Sequence, residues 1–198
     1  MSFEPTDALG ARARAIAQHE FGHFVVSVAL GYKPAGVSIH VPSLEAHRGK
    51  CWEAPRDRCE TLEQVRDYLK RRIIILLAGA VSESLDSGTH QPDTNRAIAL
   101  LRNGETGAGD DYARATELVA LLHSTMPIDD EPLVGIEALL NQLFNHTVAI
   151  VVQNGQVISE LAYSLCLLAS TQTENLAALQ YEGIAQMPSF KKIVCIQL

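Results

Sequence analysis

Apolar residues recur along most of this chain at helical intervals. After Pro5-Thr6-Asp7, where Thr6 or Asp7 can cap free N–H groups, Ile16, Ala17, Phe21, Phe24, Val25 and Val28 mark a first helix. Gly31 and Pro34 supply its stop. Residues 36–42 (GVSIHVP) alternate instead and are rich in β-branched side chains, which predicts a short strand. Residues 43–58 read as a loop with a partner strand near Cys51-Trp52. Thr61 and Gln64 have capping-box spacing ahead of a stripe at Leu62, Val65, Leu69, Ile73, Leu76 and Ala80, so a second helix should run to about Leu85. Residues 86–93 are turn-like, 95–102 make a short helix, and a glycine-rich loop (103–109) leads to Asp110-Asp111 and a helix over 112–125 that Met126-Pro127 ends. Residues 132–170 are again helical, with Asn154-Gly155 either a break or a weak point in one long helix. Thr173 is placed to cap a last short helix through Tyr181. The pattern predicts a mainly α fold with a small β element.

Composition narrows the function. The 198 residues are 47% apolar and 20% charged, as in an ordinary globular protein. One domain is expected, with residues 1–127 as its core and 128–198 as a C-terminal helical part packed on it. Sixteen basic against 23 acidic side chains leave a charge of −7, which argues against nucleic acid or an anionic membrane surface as partner. Lys70-Arg71-Arg72 reads as a solvated helix face. The longest apolar run, 73–81, falls well short of the roughly 18 residues that a transmembrane segment needs. The N-terminus shows no signal-peptide pattern. Cys51, Cys59, Cys166 and Cys195 have no CxxC spacing and read as free thiols of a reducing compartment, so a cytoplasmic location is expected.

One motif carries chemistry. His19 and His23 bracket Glu20 in HEFGH, within a helical pattern and between uncharged flanks. Four residues apart on a helix, the two imidazoles share a face about 6 Å apart and can take adjacent corners of a zinc tetrahedron. Glu20 is set to reach a water and accept its proton. A catalytic zinc site needs a third protein ligand, and no nearby histidine provides it. Glu83, Asp93, Asp110 and Asp111 are the candidates. Acidic residues at helix N-termini ordinarily serve as caps, and spacing does not choose among these four. His40, His47, His90, His123 and His146 are scattered and read as surface or core residues, although His40 and His47 lie near the expected substrate edge. Trp52 reads as loop packing or as a pocket aromatic.

HEFGHFVVSVALG, LLAGAVSESL and TGAGDDYARATELV, in that order, resemble the peptidase domain of the FtsH family of zinc metalloproteases. The resemblance spans about residues 11–185, and Thr106-Gly107-Ala108 followed by Asp111 and Ala115-Thr116 is its most specific part. It implies Asp111 as third zinc ligand and Glu83 as hydrogen-bond acceptor for a ligating histidine. Asp110, standing where an asparagine is usual, is implied to be a cap or an outer partner of the site. Phe21 replaces a small residue, Ala80 an arginine, and the spacer 86–105 is long. The chain also has no GxxxxGK[ST] phosphate loop and no membrane anchor of the family's kind. The expectation is a stand-alone zinc endopeptidase acting on unfolded or flexible polypeptide without ATP, working as a homo-oligomer or with a separate ATPase partner. The alternatives are a regulatory FtsH-like protein that binds partners and keeps a structural zinc, and a zinc hydrolase of small amides. Intact Glu20 weighs against the regulatory alternative.

Overall fold

The computed structural model describes residues 7–52, 58–104, 107–126 and 135–196. Thr6, Thr106, Pro127 and Pro132 lie outside the described residues. Helix α1 (Ala8–Ala29) starts where the Asp7 side chain accepts from the Gly10 N–H at 2.6 Å. It stops at Gly31, whose φ of +88° suits a residue without Cβ. Between Ile16 and Ala29 nearly every residue of α1 is buried, the mark of a central helix rather than a surface one. Helix α2 (Leu62–Glu83) has the expected capping box: Thr61 accepts from Gln64 N–H while the Gln64 side chain accepts from Thr61 N–H. Its stripe of Ile73, Ile74 and Leu77 is fully buried against α1.

Helix α3 (Thr94–Arg102) follows, then α4 (Gly107–Ser124) and α5 (Ile136–Ser170). Helix α4 begins five residues earlier than the sequence suggests. Ala108 and Gly109 are buried, and Gly109 is pressed so closely against Asn103 and Gly104 that no Cβ would fit, so packing overrides weak helix propensity. Helix α5 runs unbroken through Asn154-Gly155. The Asn154 amide donates to Ile150 O at 3.0 Å and accepts from Val194 N–H at 2.9 Å, while Gly155 lets the His90 carbonyl approach. The pair is a contact point, not a break.

The sheet is antiparallel, in the order β2-β1-β3, with β1 (Gly36–His40), β2 (Arg48–Trp52) and β3 (Leu176–Gln180). Residues 173–181 correct the sequence reading: a short 3-10 turn leads into β3, and only then does helix α6 (Tyr181–Ala185) begin. LAALQ has no β-branched residue, but its backbone pairs with β1 from Gly36↔Gln180 to His40↔Leu176. Glu174 and Asn175 make the turn with φ of 63° and 55°. The C-terminal part therefore contributes a strand as well as helices, and α5 packs on α1, α2 and α4 in one continuous core. The architecture is mainly α with a small three-stranded sheet. No helix among the described residues is long and apolar enough to cross a membrane.

Candidate metal centre

The middle of α1 faces α2 and the first turns of α4, and three side chains converge there. His23 Nε2 lies 3.0 Å from Asp111 Oδ2, and His19 Nε2 lies 3.3 Å from the same oxygen. One potential ligand atom from each of His19, His23 and Asp111 falls within 4.8 Å of the others, a group able to hold a metal ion. Both imidazoles are steered from behind. His19 Nδ1 is 3.1 Å from Glu83 Oε2, and His23 Nδ1 donates to the Ile75 carbonyl at 2.7 Å. With Nδ1–H engaged, Nε2 is the nitrogen that faces the Asp111 carboxylate, the arrangement that fixes a ligating histidine.

Of the four acidic candidates, only Asp111 contributes to this convergence. Asp93 caps α3, accepting from the Asn95 and Arg96 N–H groups. Glu83 sits behind His19. Asp110 is exposed on the cleft wall and is not among the converging ligand atoms. Phe21, the unusual residue within the motif, is fully buried edge-on to Phe24 with ring centroids 5.8 Å apart. It faces the core, so its bulk leaves the cleft untouched. Ala80 is likewise buried in the core.

Charge at the site is strongly coupled. Burial works against a charged His19, but Asp111, Glu83 and Glu20 outweigh it and push its pKa up to about 10. Burial alone would raise Asp111, yet the two histidines hold its carboxyl far below the usual carboxylate range. An arriving cation must displace the proton that His19 carries. Burial pushes the Glu20 carboxyl up, and His19 and His23 pull it partly back.

Glu20 opens onto a cleft of about 590 Å³, walled by β2 through Gly49 and Trp52, by α2 through Tyr68 and Arg72, and by α4. Trp52 also packs over Gly36 of β1. Two glycines permit the close approach. A Cβ on Gly49 would collide with the Glu20 carboxylate. A Cβ on Gly79 would stand 2.5 Å from His19 Nε2 and 2.6 Å from His23 Nε2. Sequence reasoning missed both: Gly79 lies within LLAGAVSESL, but the close approach that gives either glycine its role exists only once the elements pack.

Gly79→Ala is therefore expected to weaken divalent-metal affinity. Overpacking of about 1–3 kcal/mol, if it falls on the ligand geometry, corresponds to roughly five- to 150-fold. Gly88→Ala, whose new methyl would meet only Asp86 Oδ1 at 3.5 Å, serves as control. Competition with a chromophoric chelator reads both; equal affinities would refute the close packing. Among known proteins, no family model matches the chain and no curated protein matches it.

Proposed function

We propose that the chain is a zinc-dependent endopeptidase similar to the FtsH peptidase domain, hydrolysing peptide bonds of unfolded or flexible polypeptide. The observation that carries this reading is the convergence of His19, His23 and Asp111 beside Glu20 in one open cleft. Two nitrogens and a carboxylate oxygen suit zinc, leaving a fourth position open. The candidate atoms stand 3.0 and 3.3 Å apart across the two nitrogen–oxygen pairs, and all three lie within 4.8 Å of one another, so these residues would hold one ion between them. When bound, zinc supplies Lewis acidity toward water and carbonyl oxygen.

The chain's own residues supply the rest. Glu20 accepts the proton of the attacking water at a carboxylate oxygen and returns it to the leaving amine. Its burial raises its basicity, which serves this role. Glu83 and the Ile75 carbonyl keep the imidazoles turned toward the cleft. The cleft volume falls within the range of ligand-sized sites, roughly 300–1,000 Å³. The four cysteines have no CxxC spacing, which suits a reducing compartment, the cytoplasm in this reading.

No nucleotide loop of the GxxxxGK[ST] type occurs in the sequence. Pulling a folded domain apart takes about 5–15 kcal/mol, which this chain alone has no such means to supply. Purified protein should contain zinc and cleave casein slowly, with loss of cleavage on chelation and no response to ATP. A tightly folded domain should survive. ATP-stimulated degradation of that domain by this chain alone would refute motor-free action, and zinc-loaded protein inert on every polypeptide would refute the peptidase reading.

A further inference from the structure

One guanidinium joins the back of the metal site to the strand behind Glu20. Arg12 precedes His19 by seven residues on α1, two turns away on the same face. Its Nη1 lies 3.8 Å from Glu83 Oε1, while the other oxygen of that carboxylate meets His19 Nδ1. Its Nη2 donates to His47 Nε2 at 2.7 Å. His47 immediately precedes β2, and two residues later Gly49 abuts Glu20. Burial, followed by the Arg12 charge, holds the His47 pKa below its ordinary value, which keeps Nε2 an acceptor at neutral pH. Arg12 thus touches two elements, each seating one half of the chemistry.

We propose that Arg12 is a positioning residue of the metal site: through Glu83 it steadies the His19 imidazole, and through His47 it anchors the start of β2 where that strand backs Glu20. The role rests on the metal-binding reading of His19, His23 and Asp111. A merely structural ion pair would behave differently. The Arg12 side chain is 32% exposed, and pairs at such exposure add little to stability. The effect of losing Arg12 should therefore appear in the metal site rather than in the melting temperature.

A double-mutant cycle tests this, with cobalt(II) as probe because its visible absorption reports ligand geometry. Arg12→Ala should weaken cobalt affinity about three- to tenfold and alter the absorption band, with little change in thermal midpoint. Glu83→Gln should weaken it about ten- to a hundredfold. In the Glu83→Gln background, adding Arg12→Ala should cost less than about twofold, because the path to His19 is already cut. His47→Ala, which releases one end of the guanidinium whose other end meets Glu83, should reproduce part of the Arg12 effect. Arg12→Met, which keeps the aliphatic stem, replaces alanine in the cycle if that variant unfolds. Additive losses, or unchanged affinity in the Arg12 variants, would overturn the positioning role while leaving metal binding intact. A wild-type chain that binds no cobalt would sink the functional reading and this role together.

Discussion

Replacing Glu20 by glutamine is expected to leave the metal content at the wild-type level while hydrolysis of an unstructured protein falls by about a hundredfold to ten-thousandfold. Glutamine keeps the length and volume of glutamate, so the close fit of Gly49 against residue 20 is preserved. Its carbonyl oxygen can still accept the Cys51 backbone N–H that the carboxylate takes. What disappears is the ability to take a proton. Glu20 is not one of the three converging ligand atoms, so metal retention is part of the expectation. Paired measurements of bound metal and of casein cleavage decide it. Unchanged turnover would remove Glu20 from the mechanism, and lost metal would show that it belongs to the ligand set.

His19→Ala, His23→Ala and Asp111→Ala should each weaken zinc binding by roughly a hundredfold or more. Structural zinc sites with four ligands are worth about 10–16 kcal/mol, so each ligand carries on the order of 3 kcal/mol. Removing Asp111 does further damage, since its carboxylate contacts both imidazoles, at 3.3 and 3.0 Å. Asp110→Ala should leave affinity nearly unchanged, because that side chain stands exposed on the cleft wall. Calorimetric titration with zinc would compare all four variants. A site emptied by Asp110→Ala but kept by Asp111→Ala would shift the third ligand by one residue.

The histidine pair with Glu20 between was legible because its geometry is local: i, i+4 spacing on a helix puts both rings on one face without reference to anything else. Helices α1 and α2 were legible for a similar reason, each having a cap and a long apolar stripe. Asp111 stands 92 positions from His19, and spacing left it level with Asp93, Asp110 and Glu83. Only the resemblance to a family singled it out. Folding separates these candidates by use, with Asp93 consumed as a helix cap and Glu83 turned to the back of His19.

What stayed hidden depends on tertiary contact. Gly79 matters only because α1 lies against α2, and Gly49 only because β2 crosses behind Glu20. Strand β3 was read as helix because Leu-Ala-Ala-Leu-Gln has helical propensity. Pairing with β1 overrode that preference, as strand formation often follows neighbours rather than intrinsic bias. The first turn of α4 was read as loop because its glycines are weak helix formers, while their real service is close packing.

The order of the sheet sets a timetable for the growing chain. Strand β1 meets β2 soon after both are made, but its other neighbour, β3, lies about 140 residues further along. At roughly 5–20 residues per second of synthesis, that is a wait of about 7–30 s. Through that interval a two-stranded hairpin, marginal by itself, must serve as the wall behind Glu20. Helix α5, which covers α1 and α2, is also still being made. A nascent chain that has reached α4 thus holds every candidate ligand and the described residues that line the cleft, but neither β3 to complete the sheet nor α5 to brace the helices.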